Sequence, residues 1–315
     1  YEIKILEKYS DENHPIGTQE IIDKLEENSV TAERKTIYSD MQLLQDFGYD
    51  INIIKSRTNG GYYLGVREFE LPELNLLVDA VQASRYITAA KSRALISKIE
   101  TLCSDTEAQE LRRQVYVRNR IKTDNESIYY VVDMIHRAMR LGCRIAFQYM
   151  DWDMKKKLAP RRGGKIYEVS PWALTCSDDN YYMVSYDGDA DIIKHFRVDK
   201  MGSMQVLENK KREGADRFGE FDIAKYTNHV FGMYSGEEEK ITLSFPNEMI
   251  GIALDRFGRD VNLFCTEPYR FHICVDIEVS RQFYGWLTGL GPNVKILSPD
   301  SVREGYYEYL RSIIE

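Results

Sequence analysis

Between residues 142 and 212 the chain gathers its most chemically suggestive side chains. Lys155, Lys156, Lys157, Arg161, Arg162 and Lys165 are cations, His195 and Arg197 stand two residues apart, and Tyr149 and Tyr182 offer aromatic faces. Cations neutralise phosphates and rings stack on bases, so the mixture suits a nucleotide or a short single-stranded nucleic acid. A second set lies nearer the start. Arg34, Lys35 and Gln42 could reach base edges or phosphates, and Thr36, Tyr38 and Ser39 could donate to phosphate oxygens. Arg57, beside Asn59-Gly60-Gly61, could enter a minor groove. Structural rivals stand beside each reading: a solvated helix face for the second set, a satisfied core histidine for His195, a core aromatic for Tyr182, a soluble turn for Lys155 to Lys157, and pairing to Asp199 for Arg197.

Little in the chain suits catalysis. There is no GxSxG and no HExxH, and Gly163-Gly164-Lys165-Ile166 lacks the earlier glycine and the Ser/Thr of a phosphate-binding P-loop. The five histidines are dispersed, and the five cysteines include no CxxC pair. No catalytic residue, metal or cofactor is therefore expected, and the thiols read as buried and reduced.

These residues need elements to position them. Helical patterns cover Glu2 to Tyr9, Thr18 to Glu27 and Thr31 to Phe47, the last with Ile37, Met41 and Leu44 inward and Thr31 as N-cap. Ile51 to Lys55 and Tyr62 to Leu64 read as strands around a glycine turn. Three helices and a hairpin make a winged helix-turn-helix over 1–67. Residues 68–141 read as a helical linker with segments Leu71 to Tyr86, Thr88 to Leu102, Asp105 to Arg113 and Asn125 to Leu141. Leu74, Leu77, Val78 and Val81, and then Leu95, Ile99 and Leu102, repeat at helical spacing suited to packing or a dimer interface. The basic run Arg112, Arg113, Arg118, Arg120 and Lys122 reads as a solvated connector or a ligand contact. Over 142–212 the period changes to two. Ile145 to Tyr149, Ile166 to Thr175, Asn180 to Tyr186, Ile192 to Val198 and Met204 to Leu207 predict a small antiparallel barrel in which His195 and Arg197 share a face. Residues 213–315 read as βαββαβ followed by a helix from Ser301 to Ile314 with a capping box at Ser301 to Glu304. Glu237-Glu238-Glu239 reads as a solvated turn before the first of those strands, and Phe283, Trp286 and Leu287 as core.

The chain has 315 residues and a formal net charge of -8, which taken whole argues against a polyanionic partner. The charge is unevenly spread. Residues 1–67 hold 8 Lys/Arg against 12 Asp/Glu, 68–141 hold 11 against 11, 142–212 hold 13 against 10, and 213–315 hold 10 against 17. Only the predicted barrel is net basic, so the anionic partner belongs there more than at the acidic head. The apolar stretches are too short to span a membrane and the first residues are not a secretory signal, so a cytoplasmic protein without membrane contact is expected. A first residue other than Met suggests a lost upstream stretch.

Ser170-Pro171-Trp172-Ala173-Leu174, Asn180-Tyr181-Tyr182-Met183-Val184-Ser185-Tyr186 and His195-Phe196-Arg197-Val198-Asp199-Lys200-Met201 together resemble the WYL domain. Tyr181-Tyr182-Met183 stands where that family has Trp-Tyr-Leu and keeps only the central Tyr. The order of winged helix, helical linker, WYL barrel and C-terminal extension resembles the bacterial WYL-domain transcriptional regulators, with Phe283 to Gly291 matching the extension. That resemblance implies an α+β multidomain chain with an Sm-like five-stranded barrel and a C-terminal ferredoxin-like βαββαβ unit that dimerises or covers the ligand groove. It implies Tyr149, Arg161, Arg162, Tyr182, His195 and Arg197 as the effector-binding residues. It further implies a homodimer bound to double-stranded operator DNA. One departure weakens the head: the family's third helix reads Thr-hydrophobe-x-Arg-Asp, and here Thr36-Ile37-Tyr38-Ser39-Asp40 has Ser39 in place of the arginine. The expected function is a ligand-responsive DNA-binding regulator. The alternative is a nucleotide or nucleic-acid sensor acting through protein contacts, and a third reading, an enzyme acting on a nucleotide, finds no motif.

Overall fold

A computed structural model describes residues 1–56, 59–113, 122–123, 125–177, 179–218, 230–233 and 236–315. The chain divides into two compact units, Tyr1–Glu126 and Ser127–Glu315. None of the helices among the described residues is long and apolar enough to cross a membrane.

The first unit begins with α1 (Glu2–Tyr9), α2 (Thr18–Glu27) and α3 (Arg34–Asp46), then the antiparallel hairpin of β1 (Ile51–Ile54) and β2 (Gly61–Leu64). Amphipathic stripes explain the packing: Leu6, Ile21, Leu25, Ile37 and Met41 are buried against Ile51, Tyr62 and Leu64. Ile16 extends the hairpin through paired amide bonds with Tyr62 at 2.8 and 2.9 Å. This approach requires Gly61, because a Cβ there would lie 2.3 Å from the Ile16 carbonyl oxygen. Three helices and a hairpin is the element order that the sequence predicts over 1–67. The third helix starts three residues later than its periodicity predicts, with Glu33 and not Thr31 at its N-cap. Ser29 turns left-handed at φ 61 and the Val30 amide returns to the Leu25 carbonyl, closing α2. Val30 and Ala32 must then run on in non-helical backbone to pack against the head core.

Three further helices follow, α4 (Leu71–Ala83), α5 (Ala89–Ile99) and α6 (Asp105–Arg113), around Leu74, Val78, Cys103, Ala108 and Leu111. Leu77 and Leu102, read as packing or a dimer interface, are exposed, and α4 stops at Ala83, short of the predicted Tyr86. Of the cysteines expected to be buried, Cys103 and Cys143 are, whereas Cys176 and Cys265 are exposed on their strands. A buried polar bond joins these helices to the head. Asp11, 4% exposed in the turn after α1, accepts from Ser104 Oγ at 2.6 Å, from His14 Nδ1 at 2.8 Å and from the amides of Asn13 and His14. Ser104 in turn caps α6, accepting from the Glu107 amide. Burial alone would raise the Asp11 pKa, but the bonds from Ser104 and His14 hold it below the ordinary carboxylate range.

The second unit opens with α7 (Ile128–Leu141), whose Ile128, Val131, Ile135 and Ala138 are buried. Gly142 ends it in the left-handed region at φ 63 and ψ 37. A six-stranded antiparallel sheet follows: β3 (Cys143–Trp152), β4 (Leu158–Pro160), β5 (Ile166–Ser177), β6 (Asn180–Asp187), β7 (Ile192–Arg197) and β8 (Met201–Lys211). β3 pairs with β4, β5 and β8, and β5, β6 and β7 continue the sheet in order. The five predicted strands are present with β4 added. The sheet is open among the described residues, because no ladder joins β7 to β8 and the 3-10 turn Val198–Lys200 lies between them. The short helix α8 (Ala215–Phe218) comes next.

The C-terminal part runs β9 (Glu237–Pro246), α9 (Ile250–Phe257), β10 (Leu263–Glu267), β11 (Arg270–Val279), α10 (Arg281–Gly289), β12 (Lys295–Ser298) and α11 (Asp300–Ile314). Its antiparallel sheet has the order β10-β11-β9-β12. Phe283 and Leu287 are buried in its core, and Trp286 packs against Phe231 and Phe257. Glu237 to Glu239, expected as a turn, are the first residues of β9, opposite Val279, Glu278 and Ile277. Ladder pairing along β11 here outweighs the poor strand propensity of glutamate. No capping box starts α11, whose N-cap is Pro299.

The Asp11 bond sets a measurable expectation. Asp11→Ala leaves Ser104 Oγ, His14 Nδ1 and the Asn13 amide without their acceptor, so the first unit should lose about 2–4 kcal/mol in denaturant unfolding at neutral pH. The contribution is present above the unfolded carboxylate pKa of about 4 and is lost as pH falls below it. An unchanged midpoint at pH 7 would contradict this account.

Candidate nucleic-acid interface

Strand alternation in β7 sends Phe196 to one face and His195 and Arg197 to the other, and Val198 opens the turn that follows. Phe196 and Val198 are buried, and Phe196 meets Phe147, Tyr149 and Tyr167 edge-on, with ring centroids 5.0, 5.3 and 5.4 Å away. Tyr182 on β6 is the direct cross-strand partner of Arg197, and Thr175 on β5 continues the row. The Tyr149 ring belongs to the aromatic face with Phe196 and Tyr167, and its hydroxyl reaches the edge of this row, accepting from the Arg197 amide at 3.3 Å. Burial pushes the Tyr149 phenol up to about 12.

A charged rim surrounds this row. The Arg197 guanidinium is held bidentately by Asp199, Nε to Oδ1 at 3.0 Å and Nη2 to Oδ2 at 2.7 Å, and this carboxylate raises its pKa further. Asp151 at the end of β3 shares its oxygens between Arg161 Nε and Lys200 Nζ, each at 3.3 Å. Arg162 beside them is exposed and takes a left-handed φ of 52 in the turn after β4. Three cations therefore meet two carboxylates, leaving one positive charge in excess, and Arg162 adds another on the adjoining turn. Tyr149, Arg161, Tyr182 and Arg197 are thus brought around one rim, with Arg162 on the adjoining turn. Asp151 and Lys200 were not among the sequence candidates. Lys200 follows directly on Arg197-Val198-Asp199, but nothing local shows that Asp151 arrives opposite it.

His195 is placed differently. Its imidazole hydrogen-bonds the Met233 backbone, and burial pushes its pKa down to about 4. The bond favours the protonated form, so a ring N–H donates to the carbonyl; burial outweighs it. Residues 230–233 also contribute Phe231 to the C-terminal core, where Arg256 stacks on its ring at 3.8 Å. Lys155 to Lys157 sit exposed in the β3–β4 turn, where Asp153 Oδ1 accepts the Lys155 and Lys157 amides at 2.9 and 2.8 Å. Lys165 lies over the Tyr167 ring at 5.4 Å.

Comparison with known families decides what this sheet is. Residues 130–206 match the WYL domain. The chain carries a WYL domain. No protein of curated function matches the sequence at a significant level. Among solved structures, the chain is similar to proteasome accessory factor B/C (PafBC) of Arthrobacter aurescens, at 17% identity and a TM-score of 0.30, covering 97% of this chain and 44% of that one. It is also similar to a CRISPR Cas-related protein, at 12% identity and a TM-score of 0.38, covering 99% and 82%. The chain thus spans less than half the length of PafBC.

Within the WYL domain the residues standing for Trp-Tyr-Leu divide by pleat: Met183 is fully buried, while Tyr182 faces Arg197. The head is less committed. Arg34, Lys35, Thr36, Tyr38, Ser39 and Gln42 are all exposed on α3. Arg34 donates to Gln19 of α2 at 3.3 Å and Gln42 to Asp46 at 3.1 Å. Arg57 lies outside the described residues. In the linker's basic run, Arg112 binds Glu100 bidentately at 2.8 and 2.7 Å, and Lys122 binds the Val81 and Ser84 carbonyls and Ser92 Oγ. Arg118, Arg120 and the Arg113 side chain lie outside the described residues.

The burial of His195 has a pH signature. With a folded pKa of about 4 against about 6.5 when unfolded, the unfolded chain binds the proton first, so stability falls as pH drops from about 6.5 to about 4. Replacing it with Asn should remove about 2–3 kcal/mol of the stability difference between pH 7 and pH 4.5. Parallel pH profiles for the variant and the parent would show that His195 is not buried neutral.

Proposed function

We propose that the chain is a ligand-responsive transcriptional regulator whose WYL domain senses a nucleotide or short single-stranded nucleic acid and whose winged head binds operator DNA as a homodimer. The observation that carries this reading is the rim itself, where the Tyr182 ring and the Tyr149 hydroxyl lie with the cations Arg197, Arg161 and Lys200. Binding, and not turnover, is the proposed role. In this reading the open sheet is an Sm-like barrel left unclosed between β7 and β8, and the β10-β11-β9-β12 unit is ferredoxin-like. Regulation requires that the effector bind the DNA-competent and incompetent states with different affinity.

One observation favours a second reading, in which the head is a protein-interaction module. On α3 the exposed Leu43 and Phe47 lie four residues apart, beside Asp46, and Ser39 stands where the resembling family has arginine. An apolar stripe with an acid suits a protein partner better than a phosphate backbone.

Titration of the full chain with duplex promoter DNA and with single-stranded oligonucleotides, at low and physiological salt, separates the two. A combined Arg34→Glu and Lys35→Glu variant should lose duplex binding and keep single-strand binding, while Arg197→Ala should weaken single-strand binding at least tenfold and keep the duplex. Duplex binding that is absent, or indifferent to salt, would favour the protein-contact reading.

A further inference from the structure

The cations of the rim are already engaged by the protein's own anions. Asp199 occupies the Nε/Nη2 edge of the Arg197 guanidinium, one of its two bidentate edges, at 3.0 and 2.7 Å. Asp151 bridges Arg161 and Lys200. A phosphate that takes the Nε/Nη2 edge of Arg197 must displace Asp199, and one that approaches the remaining donors of these three cations meets them with a carboxylate charge still beside them. We propose that Asp151 and Asp199 are internal competitors that set the ligand class of the WYL site, reserving it for a chain of linked phosphates and excluding a nucleoside monophosphate. The inference rests on the nucleic-acid reading of the rim.

The physical case turns on effective concentration. Asp199 is two residues from Arg197, so its carboxylate competes from within the same chain at an effective concentration of millimolar order or above. A free monophosphate at lower concentration loses that competition. A strand with several phosphates opens one pair, and its next phosphate then attacks the second pair intramolecularly. Opening does not remove the carboxylates, which stay beside the bound phosphates and repel them. One like charge at such range weakens binding roughly tenfold. Arg162, exposed beside the paired Arg161, offers a first point of capture.

Fluorescence anisotropy of the full chain with a labelled thymidine octamer and a labelled thymidine monophosphate tests this directly. Asp151→Asn and Asp199→Asn should each tighten the octamer roughly tenfold, and the double variant should acquire measurable monophosphate binding. Asp199→Glu, which keeps the charge, should stay near the parent. Two separate carboxylates keep the test open if one variant fails to fold, as thermal melting would show. Equal or weaker octamer binding in the folded Asn variants would overturn the proposal, showing that the carboxylates position the cations; parent binding of monophosphate as tight as octamer would overturn it too. Absence of any binding in the parent and in the folded Asn variants would instead defeat the nucleic-acid reading on which the proposal rests.

Discussion

Pleat alternation along β7 is the constraint on which the WYL site depends. Phe196 and Val198 are committed to the core, and Phe196 closes an aromatic wall with Phe147, Tyr149 and Tyr167. A one-residue slip would turn Arg197 into that wall and expose Phe196, at a cost in buried apolar area and in an unpaired buried charge. The register is therefore strongly specified, and with it the position of Arg197 opposite Tyr182 and above the Tyr149 hydroxyl. The rim is polar because the strand ends there. Beyond Arg197 the chain enters the Val198–Lys200 turn, which returns Asp199 to the guanidinium and carries Lys200 to Asp151.

Electrostatics then decide what the rim can hold. The exposed pairing of Asp151 with Arg161 contributes little to stability, whereas the half-buried, bidentate pair of Arg197 with Asp199 also fixes the guanidinium in place. The pair at Arg197 is the more protected, with 32% of the arginine side chain and 21% of the aspartate exposed, against 48% and 45% for Arg161 and Asp151. The two residues in the HFR stretch thus have separate work. Arg197 faces the rim, whereas His195 lies buried against the Met233 backbone, joined to the segment whose Phe231 belongs to the C-terminal core.

Much of this was legible from periodicity. The head's three helices and hairpin, the period-two strands after Arg144 and the βαββαβ order all follow from apolar spacing and turn residues. Tyr149, Arg161, Tyr182 and Arg197 stood out by chemistry, and the pairing of Arg197 to Asp199 could be entertained because it is local. Long-range facts were not legible. Asp151 reaches Lys200 across 49 positions, His195 is covered by a segment far along the chain, and Asp11 finds Ser104 93 residues away. Thr31 and Glu237 to Glu239 show the same limit locally, since packing of Val30 and pairing with β11 overrode what the residues prefer in isolation.

The central claim is that bases of a single strand lie on the rim at Tyr182 and Arg197, beside the Tyr149 hydroxyl. Photocrosslinking tests it most directly: an oligonucleotide carrying 5-iododeoxyuridine is irradiated with the full chain and the attached peptide is identified by mass spectrometry. Attachment within Asn180–Asp187 or Cys143–Trp152, abolished by Arg197→Ala, is the predicted result. Attachment confined to residues 1–126, or unaffected by loss of Arg197, would contradict the account.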